Sequence, residues 1–303
     1  MFSCAMSKKF FQTSIRRFLG MWNHHKYSKM NLMLSRIKTN SEKNKEYVLW
    51  TGFFSIWPSS MDNDERAKDK KAVLINSILE VSDNVFETGK YEECYNLLIN
   101  CENKEDVEIK WRISRVLYNM AKDQKYNQSY RKELTLKAHE VISQELPSHY
   151  DHFAVQKWYA LTLEAKSKSE GLKQRIEQLE TVKKHMDLAV SMNPNDASLL
   201  HMLGEWCYQI TDLPWHQRKT AETLYAKLPN STYEDALEYF LRAEEAQPRF
   251  YSINLLRLGM CYLKLNMEDQ AKYYLKLAAS YPAKSNDDHQ ANKEAAEILK
   301  KIK

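Results

Sequence analysis

Between residues 194 and 278 the apolar positions of the chain follow one arrangement written twice. The first copy places Leu200, Leu203, Gly204 and Cys207 at helical spacing, then Ala236, Phe240, Ala243 and Pro248. The second places Leu255, Leu258, Gly259 and Tyr262, then Ala271, Leu275 and Ala278, with Pro282 closing it. Apolar residues three and four apart predict amphipathic helices. Each copy therefore reads as two helices joined by a turn. Gly204 and Gly259 lack a side chain, so the paired helix can approach closely there, and Pro248 cannot continue a helix.

Weaker copies lie upstream. Trp158, Leu161 and Ala165 open a pair closed by Val182, Met186, Ala189 and Pro194. Trp111, Ser114 and Tyr118 open another, closed by Ala138 and Ile142. Ile78, Val81 and Val85 lead through a turn at Gly89 to Tyr91, Cys94 and Leu98. The order bulky, Leu, Gly, Tyr and then Ala, aromatic, Ala, Pro is that of a tetratricopeptide repeat. The expected fold is all-α: a tetratricopeptide-like helical-repeat superhelix of about five helix pairs. Ser285 as N-cap, Asp288 at N3 and the stripe Ala291, Ala295, Ile298, Ile302 predict a C-terminal capping helix. A stack of such pairs presents a long surface to a partner, so binding is the default function.

One spacing departs from the repeat. Cys207 and Ala236 stand 29 residues apart, which leaves about twenty inserted residues. The insert carries Pro214, Trp215, His216, Arg218 and Lys219, a short helical stretch to Lys227, and a capping box at Ser231 and Glu234. Insertions in repeats map to loops on one face, often the binding face. A loop Trp beside an Arg is the usual composition of an interface anchor. Trp215, His216, Arg218 and Lys219 are therefore one candidate surface. The other is the first-helix face turned away from the packing positions, which in the Gly204 register is Ser198, His201, Glu205 and Tyr208. That groove could take a peptide or a phospholipid headgroup. Trp111 and Trp158 are read as core.

Composition narrows the field. With 6 Gly, 7 Pro and 43% hydrophobic residues among 303, the chain suits a mostly helical domain. No apolar run reaches the 18 or so residues of a spanning helix, and the longest, Tyr47 to Trp57, is about half that. Charge is uneven. Residues 1–41 hold eight Lys or Arg and no acid, while the whole chain carries +5, so residues 42–303 carry −3. Phe11, Ile15, Phe18 and Trp22 share a helix face beside Arg16 and Arg17. Residues 1–41 thus read as a basic amphipathic leader of the mitochondrial-transit kind. Residues 42–70 read as a linker with a short apolar segment, polar over 58–66, and 71–303 as the repeat domain. Cys4, Cys94, Cys101, Cys207 and Cys261 contain no C-x-x-C and suit a reduced compartment as structural thiols.

No phosphate-binding glycine loop and no G-x-S-x-G elbow is present, so the expectation is a non-enzyme without cofactor or metal, and without nucleic acid as partner. His149 and His152 lack ligand partners at metal spacing. The runs Gly204-Glu205-Trp206-Cys207-Tyr208, Pro214-Trp215-x-x-Arg218, Ser231-Thr232-Tyr233-Glu234-x-Ala236-Leu237-x-Tyr239-Phe240-x-Arg242-Ala243-Glu244 and Phe250-Tyr251-Ser252-x-Asn254-Leu255-Leu256 together resemble the regulator of microtubule dynamics family. Lys157-Trp158-Tyr159-Ala160 and Asn193-Pro194-x-Asp196-Ala197 match it too, and the resemblance covers roughly residues 75–300. The chain is closer to the family's shorter branch than to the longer one, whose N-terminus spans a membrane. The resemblance implies a tetratricopeptide-like domain and association with microtubules, tubulin, the spindle and spindle poles in the cytoplasm. For some members it also implies a mitochondrial address. A mitochondrial scaffold or lipid-handling module is the alternative.

Overall fold

The computed structural model describes residues 63–224 and 227–302. Among them there are twelve α-helices and no strand. In chain order they are α1 (Asn63–Glu87), α2 (Tyr91–Ile99), α3 (Val107–Lys122), α4 (Gln128–Glu145), α5 (Phe153–Glu170) and α6 (Leu172–Met192). There follow α7 (Ala197–Thr211), α8 (Trp215–Leu224), α9 (Tyr233–Ala246), α10 (Ser252–Lys264), α11 (Glu268–Ala279) and α12 (Asn286–Leu299). The chain divides into two units at residues 69 and 70, and the second, 70–303, holds the repeats. The first helix begins at Asn63, inside the segment read as linker. The leader 1–41 and the apolar run 47–57 lie outside the described residues.

Packing follows the predicted pairs. α3 lies along α4, α5 along α6, α7 along α9 and α10 along α11, and α12 closes the last pair. Cys94 Sγ reaches the Ser82 carbonyl oxygen and Phe86 lies 5.1 Å from the Tyr91 ring, which joins α1 to α2. Gly89, at φ 74°, makes the turn between them in the left-handed region open to glycine. The close approach at the two repeat glycines is real. A Cβ on Gly204 would stand 2.6 Å from Phe240 Cδ1, and one on Gly259 would stand 2.5 Å from Leu275 Cγ. Leu200, Leu203, Cys207, Ala236, Phe240 and Ala243 are all buried around that contact.

In the second and third pairs the register differs from the one expected. The small residue against the partner helix is Ser114 in α3, whose hydroxyl donates to the Ala138 carbonyl at 2.8 Å. In α5 it is Ala160, which packs in one core with Leu163, Leu179 and Val182. Gln156 bonds His185 of α6 on the same side. Trp111 and Trp158 therefore do not face their own second helices. Trp158 is buried in a separate cluster with Val155, Leu161 and Ile142, while Trp111 stays half-buried and donates from Nε1 to Glu108 at 2.8 Å. Aromatic size suggests the wrong phase, because in these pairs a Ser and an Ala take the place of the Gly.

The caps account for the helix starts. Ser285 and Asp288 form the expected capping box of α12. The box that opens α9 is one residue later than expected, Thr232 with Asp235 and not Ser231 with Glu234. Asn127 caps α4 by accepting from the Tyr130 amide. Cys94, Cys207 and Cys261 are buried and free, and Cys101 is half-buried. Burial pushes the Cys94 thiol up to about 11, so it is inert near neutrality.

Candidate functional site

The register set by Ser114, Ala160, Gly204 and Gly259 fixes what the first helices turn away from their partners. In α7 that face is Ser198, Met202, Glu205 and Gln209, since these positions lie opposite Leu200, Gly204 and Cys207 on a helix of 3.6 residues per turn. In α10 it is Arg257, Met260 and Lys264, and in α3 Glu108, Arg112, Arg115 and Lys122. Of the four groove candidates, Ser198 and Glu205 lie on this face. His201 and Tyr208 do not: they are buried, 6% and 3% exposed, and turn toward the next pair. His201 packs against Phe240 and Tyr251 and bonds the buried Asn254 side chain through Nδ1 at 3.0 Å. The amide oxygen of Asn254 accepts there, and its nitrogen donates to the Phe240 carbonyl oxygen. Burial is the main reason His201 is pushed down to about 4, so it is neutral at physiological pH. Arg257 lies over the Tyr208 ring at 5.0 Å.

The face is a ladder of ion pairs that staple one first helix to the next. Arg112 donates to Asp83 of α1 from Nε and Nη2 and to Glu108 from Nη1 at 2.7 Å, and Arg115 also reaches Asp83. Lys157 of α5 donates to both oxygens of Asp196, the α7 N-cap, at 2.8 and 2.9 Å, and to the Ser198 hydroxyl at 2.6 Å. Arg257 of α10 grips Glu205 of α7 in a two-pronged contact of 2.7 and 2.9 Å. Burial alone would raise the Glu205 carboxyl; the Arg257 guanidinium more than offsets this and holds it below the usual carboxylate range. Asp83 and Asp196 are likewise raised by burial and, more strongly, lowered by their basic partners.

Apolar side chains occupy the middle of the ladder. Trp158 and Leu161 of α5 are buried there, with Tyr118 and Met202 packed against them and the Tyr118 ring 5.7 Å from Trp158. Lys122, at the end of α3, then reaches Asp287, in the first turn of α12, at 3.6 Å. The Tyr251 hydroxyl donates to the same carboxylate at 2.7 Å. The sequence pattern does not mark Arg112, Arg115, Lys157, Tyr118, Lys122 or Asp287 as site residues. A register anchored on the small residue would have found the α3 cations.

The second candidate surface lies on α8. α8 is anchored by the buried Ala221 and Leu228, while Trp215 is 75% exposed. The Trp215 ring meets His216 edge-on, and both His216 and Lys219 are exposed. Arg218 is partly spent: its Nη2 donates to the Ile210 carbonyl oxygen at 2.7 Å and its Nη1 lies 3.9 Å from Glu222. Lys227 is exposed. Among the described residues no group of His, Cys, Asp and Glu could hold a metal ion, and no helix is long and apolar enough to cross a membrane. His149 and His152 instead lie beside Glu145 and Glu108.

Comparison with known proteins adds four findings. The family model described as regulator of microtubule dynamics protein 1-3 matches residues 78–303. The chain is 40% identical over 225 residues to regulator of microtubule dynamics protein 1 of Pongo abelii, covering 74% of this chain and 72% of that one. It is 32% identical over 219 residues to regulator of microtubule dynamics protein 3 of Xenopus laevis, covering 70% of this chain and 46% of that one. Among solved structures, a thermophilic TPR protein of Thermus thermophilus superposes with a TM-score of 0.51 at 15% identity, over 73% of this chain and 98% of that one. At that identity the likeness shows the fold, a tetratricopeptide-type superhelix.

Proposed function

Because this chain belongs to the regulator of microtubule dynamics family, we propose that it is a non-enzymatic protein that associates with microtubules and spindle poles and tunes microtubule dynamics. The observation that carries this reading is the family match itself, which covers residues 78–303, from within α1 through α12. The insert supports a contact site. Its helix carries an exposed Trp215, and Lys219 and Lys227 of the insert are exposed as well. A microtubule surface is acidic, and residues 42–303 carry −3, so attachment through the repeats needs a local positive patch. Lys219 and Lys227 are better placed for this than Arg218, which is held within the fold. The basic leader, residues 1–41, is proposed to send a fraction of the protein to mitochondria; a reporter fused to it and found diffuse in the cytosol would overturn that address.

Co-sedimentation of the full chain with microtubules tests the contact. Binding should persist at low salt and weaken sharply as the Debye length falls from about 30 Å to 8 Å. Lys219→Glu with Lys227→Glu should weaken it further, with helicity unchanged, and Trp215→Ala should do so at every salt concentration. If the double reversal pellets as the parent does, while the chain lacking residues 1–41 does not pellet, the leader makes the contact and the insert does not.

A further inference from the structure

The second helix pair and the capping helix meet at one point of the first-helix face. Lys122 ends α3 in the second pair, Asp287 lies in the first turn of the capping helix α12, and three helix pairs separate them along the chain. Several groups gather at this point. Burial, then the Glu164 and Asp287 carboxylates, push the Tyr118 hydroxyl up to about 12. The His201 ring is lowered first by burial, and the Lys122 charge acts in the same direction. Tyr251 links Asp287 to the start of α10. On the same face lie Trp158, Leu161 and Met202, an apolar patch with the Lys157–Asp196 and Glu205–Arg257 pairs beside it.

We propose that the Lys122–Asp287 pair is a releasable latch that closes the superhelix over this apolar patch. The pair suits that role in two ways. Its separation is 3.6 Å and its side chains are 51% and 43% exposed, so water and salt reach it. Exposed pairs of this kind sit near balance, and their attraction is screened at physiological ionic strength. Each partner also lies at the helix end that favours its charge, Lys122 in the last turn of α3 and Asp287 in the first turn of α12. The latch therefore forms without strain and opens without unfolding a helix. The Glu205–Arg257 contact is two-pronged and less exposed, so water and salt reach it less.

Spin labels on the full chain test this. Gln124→Cys and Gln290→Cys, both exposed, mark the two sides of the latch in a background with Cys4 and Cys101 replaced by Ser. Their distance distribution should show a short population that declines as salt rises. Lys122→Glu sets two carboxylates against each other and should raise the ratio of open to closed chains about fivefold. The same variant should increase fluorescence of the apolar dye bis-ANS while far-ultraviolet circular dichroism stays constant. Lys122→Glu with Asp287→Lys should restore the short population. Distances that neither salt nor Lys122→Glu moves overturn the latch. If Lys122→Glu loses helicity, the salt series on the parent decides alone.

Discussion

At the residue scale, the small side chains decide more than the large ones. Phe240 is fully buried because Gly204 leaves space for its ring. Gly204→Ala puts a Cβ where Phe240 Cδ1 stands at 2.6 Å, and the ring has no exposed direction in which to withdraw. Alanine is the better helix former by about 1 kcal/mol, but overpacking of a filled core costs about 1–3 kcal/mol, and the second effect wins. The expected outcome is a net destabilisation read from urea melts, with Gly259→Ala behaving alike against Leu275. Stabilisation in either variant would show that the interface can give. The same logic explains what the sequence revealed and what it hid. The pairs built on Gly204 and Gly259 were legible, since glycine within an apolar helix has few other meanings. The pairs built on Ser114 and Ala160 were found but misphased, because Trp111 and Trp158 outweighed a Ser and an Ala that also occur on exposed faces. His201 and Tyr208 fall among the groove positions the sequence suggests, yet in the stack they are buried, His201 against Tyr251 and Asn254 and Tyr208 under Arg257.

At the element scale, the capping helix shows how one carboxylate can hold a helix at both its start and its side. Asp288 Oδ2 accepts from the Ser285 amide at 2.9 Å and hydroxyl at 2.8 Å, and from the Lys284 amide at 3.1 Å. Its Oδ1 accepts from the buried Ser252 hydroxyl of α10 at 2.6 Å. Those bonds outweigh the effect of burial and hold the Asp288 carboxyl below its usual range. Asp288→Ala removes the reciprocal half of the capping box and leaves Ser252 without that acceptor. A lost cap and a stranded buried hydroxyl together should cost about 2–3 kcal/mol. Hydrogen exchange should then speed up across 286–299 and at the α10 and α11 positions that α12 covers, such as Leu255, Leu256 and Leu275. Faster exchange confined to the first turn of α12 would mean that the apolar contacts alone secure it. The insert is the opposite case. α8 hangs on Ala221, Leu228 and the Arg218–Ile210 bond, so its existence and place were readable from a spacing, while the capping box that closes the insert was displaced by one residue.

At the scale of the whole molecule, the ion-pair ladder and the buried histidine set how the stack responds to acid. The Asp83, Glu108, Asp196 and Glu205 carboxyls are raised by burial yet lowered overall by their partners, chiefly Arg112, Lys157 and Arg257. Groups whose folded value lies below the unfolded one stabilise the fold above about pH 4, and lose that contribution as pH falls through the folded values. His201 acts earlier. Burial holds its folded value at about 4, against about 6.5 in the unfolded chain, so from pH 6.5 downward the unfolded chain takes up the proton that the folded ring refuses. Stability should therefore begin to fall near pH 6.5, before the ladder carboxyls take up protons. By pH 4 His201 alone contributes a loss of about 3 kcal/mol. His139, also lowered to about 4 by burial and the Lys166 charge, adds to the same limb. His201→Gln keeps a donor for Asn254 and removes the titration. Urea melts at pH 7.5, 5.5 and 4.5 should show a shallower decline in that variant than in the parent, with the steep loss below about pH 4 retained. A parent whose stability is flat from pH 7 to 5, or a variant with an unchanged slope, would show that the ring is hydrated in solution and that the Asn254 contact does not hold it.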